Sequence, residues 1–574
     1  MSAFIVACGS AAPPAATTAP AAPVATLAPG VIPTQTPIPV VQPTARPIEA
    51  AVASRDDIVI VINEEPSIPD PWLSTTLYPN QIIQNIAQPF AFFGPDFTDV
   101  ATAGFTGFEL VDGSTWRLSL QEGVKFHNGE DWNAEAAKWT IDKLGGSVEF
   151  QPFSQVRESH GVVVDEYTVD FVCDNPCPVL PRFGQYHIFR APGQYEASTE
   201  EERDQSGQVI GWGPYEWVEW NRGENIKLKA YDGYVEPQPV NFMTQAPTIK
   251  DVTYVWREEE LVRSAMIQAG EADVAWAMAI DQADSINNSQ NGKTVKIVSG
   301  EVYTLNTDTI WHPELRKLKV RQALTHAIDC PALANALFGP ESRCSSGANG
   351  IPGTLGVNEE NWKPIYEYDL ARARELLIEA DYNPDNVIDY WTREGRYAKD
   401  VELAESLITF WQEAGINVKL NVVEGSVWRD RHLTGPAIAF DAALKGGATL
   451  EEAAAAVHAS SPPEPAFASP GLVNFAPGGE YFDIGRQLNF YMSCEANRSK
   501  NCQADWHDLG KRANAASGEE RRELMEEAYG VFSENLLQIP MMEIIAVWGV
   551  NKDLEFVNMP GGRRILVNTI SWSK

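Results

Sequence analysis

Five consecutive apolar residues, Ile58–Ile62, stand between the acids Asp56 and Asp57 and a polar stretch broken by prolines. A run this short, rich in β-branched residues and closed by prolines, predicts a buried strand. Periods of two and of 3.6 then alternate to the C-terminus. "VKIVSGEVYTLN" reads as a strand, and "RKLKVRQALTHAI" follows as a helix with Leu318, Val320, Leu324, Ala327 and Ile328 near helical spacing. Asp369 is placed to cap a helix over "LARARELLIEADY", and "VKLNVVEG" after Gly415 reads as another strand. "GEERRELMEEAYGVFSENLL" predicts a long helix with Leu524, Ala528, Val531 and Leu536 on one side. The pattern is α/β with mixed sheets, and no repeat of fixed period suggests a solenoid or propeller. In "DAALKGGATLEEAAAAVHASSPPEPAFASPG" the Ala-rich centre predicts a short helix and the Pro/Gly end a loop.

Ahead of the first strand, residues 9–55 hold ten prolines and only three charges, Arg46, Glu49 and Arg55. Such a segment buries too little apolar surface to offset its ordering entropy and predicts an extended tether, reaching on the order of 100 Å at ~3.1 Å per residue. The 574 residues exceed what one core usually serves, so two or more lobes are expected, with room for a large cleft. No run of ~18 apolar residues predicts a spanning helix.

Acids outnumber bases 78 to 44, a formal charge of −34, which opposes binding to a phosphate backbone and makes nucleic acid an unsuitable partner. The plain reading of that charge is a solvated, non-aggregating surface. Of seven cysteines, Cys8 stands apart, and Cys173/Cys177, Cys330/Cys344 and Cys494/Cys502 form neighbouring couples. Three local disulfides of about 2–3 kcal/mol each in an oxidising compartment, free buried thiols and a metal site are the alternatives. "CDNPC" lacks the downstream Cys/His pair of a zinc site.

Catalytic signatures are missing from the sequence: there is no HExxH, no G-x-S-x-G elbow and no Gly-rich loop ending in GK[ST]. No two of the eight histidines are three or four residues apart. "GWGPYE" reads as a tight turn entering a strand. Seventeen Trp, 17 Tyr and 23 Phe supply flat apolar faces with polar edges, suited to a cleft that holds peptides or sugars, although most serve the core.

Six blocks in order then carry a resemblance. "WRLSLQEGVKFHNGEDWNAEAAKWTIDKL", "GWGPYEWVEWNRGENIKLKAYDGYV", "EELVRSAMIQAGEADVAW", "LKVRQALTHAIDCPAL", "YDLARARELLIEADY" and "SGEERRELMEEAYGVFSENLLQIPMME" resemble the dipeptide/oligopeptide/nickel class of bacterial extracellular solute-binding proteins, family 5. They span nearly everything from Asp56 onward. The resemblance implies a two-lobed periplasmic-binding-protein-like (type II) α/β fold with an extra inserted domain and a disordered N-terminal tether. It places a residual signal and lipobox at 1–8, a linker at 9–55, the first lobe at 56–98, 211–300 and 535–574, the insertion at 99–210 and the second lobe at 301–534. It further implies a monomer that encloses a peptide or oligosaccharide by hinge closure, uses no cofactor or metal, and docks on an ABC permease at the cell envelope. "IVAC" followed by Gly9 and Ser10 resembles a lipobox, so Cys8 is expected to carry the lipid, with the true signal peptide beginning further upstream.

Departures from the family pattern sharpen the site. Trp212 replaces a small residue, where it could reach ligand. Cys330 replaces a basic residue and is expected to join Cys344. Asp381 takes a helix-ending glycine position and is expected to adopt the left-handed conformation. In peptide-binding members an Asp a few residues beyond the strand "FDAAL" pairs with the peptide's α-amino group. Here Gly446, Gly447 and Ala448 follow instead, which disfavours an ordinary peptide and suits an oligosaccharide somewhat better. Expected ligand contacts are Glu64, Glu65, Trp212, Tyr303, Asn306, Trp391, Trp428, Lys445 and Gly446. A tethered extracytoplasmic hydrolase, marked by a buried nucleophile–base pair, and a signalling or chaperone protein on the same fold are the competing functions.

Overall fold

The expected first strand, β1 (Asp57–Ile62), buries Ile58, Ile60 and Ile62 in one core and Val61 in another, the two-sided burial of an interior strand. The computed structural model describes residues 55–66, 72, 82–94, 98–145, 159–183, 187–199, 201–203, 209–241, 245–278, 280–347, 350–393, 399–433, 435–462, 471–475, 482–557 and 565–573. Cys8 and the expected tether as far as residue 54 lie outside the described residues.

Between β1 and its next neighbours in the sheet comes the inserted domain. A short hairpin, β2 (Ala91–Phe93) with β3 (Asp99–Ala101), leads into β4 (Phe105–Asp112), β5 (Thr115–Leu120), β6 (Ser159–Asp165) and β7 (Thr168–Cys173), paired antiparallel in the order β4-β5-β7-β6. Helix α1 (Ala134–Gly145) packs on this sheet over a core of Phe105, Trp132, Phe171 and Phe189. The expected boundary at 98/99 falls inside the β2–β3 hairpin.

The chain returns through β8 (Tyr215–Asn221), β9 (Asn225–Ala230), β10 (Asp251–Trp256), α2 (Glu260–Ala269), β11 (Val274–Met278) and the long β12 (Gly292–Thr307). Next come α3 (Leu318–His326), α4 (Cys330–Phe338), α5 (Leu370–Glu379), β13 (Ile388–Thr392), α6 (Asp400–Ala414), β14 (Val418–Val422) and α7 (Gly425–His432). Then follow α8 (Ala437–Lys445), α9 (Leu450–Ala459), β15 (Gly471–Phe475), α10 (Ala504–Ala515), α11 (Gly518–Asn535) and β16 (Gln538–Asn551). Asp369 caps α5 by accepting from Arg372 N at 2.8 Å, and Asp381 adopts φ +48°, as its position predicts. "FDAAL" departs from expectation. It lies in α8, not in a strand, because an Ala-rich segment without a β-branched run, opened by Pro436, satisfies helical rather than period-two packing.

Ten strands form one sheet in the order β14-β13-β15-β12-β16-β11-β1-β10-β9-β8. The first lobe owns β1 and β8–β11 and the second owns β13–β15, while β12 and β16 run antiparallel through both, from Gly292↔Asn551 to Asn306↔Gln538. Their register slips between Val298 and Thr304. Gly300 sits in that slip with φ +71°, a conformation open to glycine at little cost. Ser299 Oγ fixes the kink, donating to Ile544 O at 2.7 Å and accepting from Glu301 N at 3.0 Å. A bulge of this kind bends and twists a strand pair, here where the two lobes join.

Three disulfides close the neighbouring cysteine couples: Cys173–Cys177, Cys330–Cys344 and Cys494–Cys502.

Candidate functional site

The polarity of the strands locates the cleft. In the first lobe β1 runs parallel to β10 and β11, and in the second β13 runs parallel to β14 and β15. Both sets end, at their carboxyl termini, beside the kinked β12–β16 crossover. Open α/β sheets bind ligands outside the carboxyl ends of their strands. The first lobe brings Asn63 and Glu64, just past β1, to this edge. The second brings Trp391 and Arg393 at the end of β13, α7 after β14, and the loop Ser493–Cys502 held by its disulfide.

Alternation along β13 explains Trp391: Tyr390 enters the second lobe's main core, and Trp391 faces the opposite side with Val302, Trp428 and Val473. On α7, Trp428 and His432 are four residues apart and stack with ring centroids 4.9 Å apart and planes 10° apart. Trp428 Nε1 donates to Asn474 O at 3.2 Å, tying the helix to β15. Phe93 reaches across from β2 and meets Phe482 edge-on at 4.9 Å. Phe482 holds φ +47°, a strained value for an aromatic residue.

Around these rings the second lobe gathers cations. The Arg393 guanidinium lies 4.5 Å over Trp428, and that of Arg431 lies 4.4 Å over Trp391. Lys500 Nζ donates to Arg431 O at 2.9 Å, and Asn306 Nδ2 donates to Arg498 O at 2.8 Å. Burial, followed by the positive charges of Arg498, Lys500 and Arg393, drives the His432 pKa well below its usual value. Burial also pushes the Lys500 ammonium down to about 8, with Asp308 opposing the shift and Arg431 adding to it. Asp308 is itself raised by burial against the pull of Lys500 and of the Trp311 and Ile310 N–H groups. Among the described residues, Arg431 Nε and Nη1 and Trp391 Nε1 are buried donors without a hydrogen-bond partner.

A buried nucleophile–base contact does occur, between Ser493 Oγ and His507 Nδ1 at 3.2 Å. Its surroundings make it a structural tie. The same Nδ1 accepts from Cys494 N at 3.3 Å, Ser493 Oγ accepts from Glu495 N at 3.2 Å, and Phe440 covers the ring at 5.2 Å. The knot anchors the start of the disulfide loop that carries Arg498 and Lys500.

Of the residues expected at the site, Asn306, Trp391 and Trp428 come together, and Glu64 stands exposed on the opposite wall. Others go elsewhere. Glu65 turns back to the β8–β9 hairpin, accepting from Trp220 Nε1 at 2.9 Å and from Gly223 N at 3.2 Å. Trp212 is 1% exposed, enclosed by Phe105 and Trp132 in the insertion's core. Gly211 and Gly213 beside it are required by close backbone approach, since a Cβ there would lie 2.2 Å from Ile86 O and 2.6 Å from Asn85 O. Tyr303 is fully buried against Phe338. Lys445 and Gly446 close α8, which packs with Ile310, Trp311 and the Cys494–Cys502 disulfide. The basic residues were missed, although "RDRH" and "NRSKN" are conspicuous in so acidic a chain. A separate cavity of about 470 Å³, lined by Cys330, Cys344, Tyr366 and Pro540 among others, shares none of its lining with this group.

Comparison with known proteins places the fold among solute receptors. Residues 101–449 match the sequence model of the bacterial extracellular solute-binding proteins, family 5 Middle. The glutathione-binding protein GsiB of Shigella flexneri serotype 5b (strain 8401) is 24% identical over 379 residues, which cover 64% of this chain and 69% of that protein. The ABC transporter substrate-binding protein CtaP of Listeria monocytogenes superposes with a TM-score of 0.74 at 15% identity, covering 91% of this chain and all of the other. The oligopeptide-binding protein AppA of Bacillus subtilis, solved with a nonapeptide, gives 0.68 at 18% identity, covering 91% and 99%.

Proposed function

Because the chain belongs to the bacterial extracellular solute-binding proteins of family 5, we propose that it is the receptor of an ABC importer, capturing a small solute at the β12–β16 crossover and presenting it to a membrane permease. The observation that carries this reading is the arrangement of the crossover. Two half-sheets point their carboxyl ends at one kink, where Gly300 and the Ser299 bonds concentrate the bending. Bulged crossovers suit hinge closure, in which lobes rotate around a bound solute with no bond made or broken. Trp391 and Trp428 supply the apolar faces that a solute lies against. The relatives' names mention glutathione and a nonapeptide as ligands, so peptide-derived solutes are the first class to test. In this reading Cys8 carries the lipid anchor and the receptor works alone, as a monomer at the cell envelope.

Mass spectrometry of solute co-purified with the native protein, followed by small-angle scattering with and without it, tests the proposal. A smaller radius of gyration on binding is expected. Saturating solute at ~100 Kd should also stabilise the fold by about 2.7 kcal/mol. A solute-free protein whose shape and melting temperature respond to no added solute would sink the reading.

A further inference from the structure

The three disulfides differ in what surrounds them. Cys173 and Cys177 are 3% and 1% exposed in the insertion's core, and Cys494 and Cys502 are fully buried in a cluster with Phe440. Cys330 and Cys344 are only partly buried against the second lobe's main core, and both line the separate cavity of about 470 Å³. Ile328, Pro331 and Pro540 belong to the same lining, and Ile365 and Tyr368, 49% and 44% exposed, open it to solvent.

Access decides disulfide chemistry. Exchange begins when a thiolate reaches one of the two sulfurs, which requires room for the attacker beside the bond, and exposed disulfides are accordingly the labile ones. Packing denies that room to the other two couples. The cavity beside Cys330–Cys344 falls within the ~300–1,000 Å³ of ordinary small-molecule sites. Its charged lining is mixed, Lys363 with Asp329 and Glu367, and imposes no single charge on the entrant.

The bond also joins two supports that hold without it. Cys330 opens α4, and Cys344 belongs to a strip laid along β16, where it forms an isolated antiparallel bridge with Met542. Glu543 N donates to Arg343 O at 2.8 Å, Ser345 N to Met541 O at 2.8 Å and Ser342 Oγ to Glu543 O at 2.6 Å. These bonds keep the strip on β16 when the disulfide opens, so exchange needs no unfolding.

We propose that Cys330–Cys344 is a thiol-exchange site, open to a small thiol that enters the cavity. The entering thiolate forms a new S–S bond to one cysteine sulfur. The Cys330–Cys344 bond breaks, its electron pair leaves with the other sulfur, and that thiolate takes a proton from water. A second small thiol attacking the mixed disulfide releases the small disulfide and leaves both cysteines reduced, so two thiols are oxidised for each protein disulfide reduced.

Timed exposure of the folded full chain to L-cysteine, followed by acid quenching, alkylation with N-ethylmaleimide and peptide mapping by mass spectrometry, tests this. Cysteinylated or alkylated Cys330 and Cys344 should accumulate at least tenfold faster than the same products at Cys173, Cys177, Cys494 or Cys502. A thiol on the surface of an unrelated folded protein, too bulky for the cavity, should open the bond at least tenfold more slowly than L-cysteine, each rate being referred to that thiol's rate on free cystine. All three couples opening together, or Cys330–Cys344 opening no faster than the other two, would overturn the proposal. Equal relative rates for the two thiols would overturn it as well, since the bond would then be an open surface disulfide with no part played by the cavity.

Discussion

Two clusters in this molecule pair cations with aromatic rings, and their indole N–H groups are answered differently. Where α1 meets the first lobe, Arg190 lies 5.0 Å from the Trp72 ring and 4.7 Å from Tyr195, and Lys143 lies 5.6 Å over Trp139. Three polar edges there are answered nearby. Trp72 Nε1 donates to Ile188 O at 2.9 Å, Trp139 Nε1 to Glu196 at 3.0 Å, and Lys143 pairs with Glu196 at 2.8 Å. At the crossover, Arg431 lies over the Trp391 ring in the same way, while Arg431 Nε and Nη1 and Trp391 Nε1 find no partner among the described residues. Cation–aromatic geometry therefore marks packing as readily as recognition. What separates the two is whether the N–H of the indole under the guanidinium finds an acceptor.

The largest effect that sharpens this contrast falls on the closed cluster. Trp72→Ala should destabilise the fold by ~3–5 kcal/mol, measured by denaturant titration, and leave solute affinity within twofold. A larger fall in affinity would break the comparison.

Acidification comes next. His127, His312, His432 and His507 all have pKa values lowered by burial, His127 to about 4. A depressed folded pKa means the unfolded chain takes up protons first, below about 6.5, so stability is full above that pH and falls as pH drops toward the folded values. Between pH 7.5 and 5.5 a progressive loss of stability is expected, read by denaturant titration at each pH.

Replacing Cys494 and Cys502 together by Ser removes a short loop staple, with a cost of about 2 kcal/mol. The loop carries Arg498 and Lys500, so affinity should fall with stability, whereas replacing Cys173 and Cys177 should cost stability alone. The smallest effect belongs to Arg431→Gln, within about 0.5 kcal/mol of the parent in the absence of solute.

Much of the fold was legible because local signals and tertiary needs agreed. The β-branched run of β1, the Asp369 cap and the left-handed Asp381 each satisfy one rule in one way. "FDAAL" failed because a family pattern was set above its own helical propensity. Trp391 and Trp428, expected from the strand ends, pack together beside the crossover. The arginines were not legible, since a basic residue in an acidic chain ordinarily sits on a solvated surface, and only the fold brings positions 393, 431 and 498 together. Trp212 misled for a related reason: its turn was read correctly, but the contacts that swallow the ring come from residues 105 and 132, about a hundred and eighty positions short of the crossover.

β16 carries a consequence for how the protein comes into being. It lies between β12 and β11 at the centre of the ten-stranded sheet, yet it follows the other nine strands of that sheet along the chain. Until Gln538–Asn551 has emerged, both half-sheets expose an unpaired central edge, and neither lobe can mature ahead of the other. Completion of the sheet is thus deferred until Gln538–Asn551 is available. A chain truncated before Gln538 would yield two sticky halves and no stable lobe.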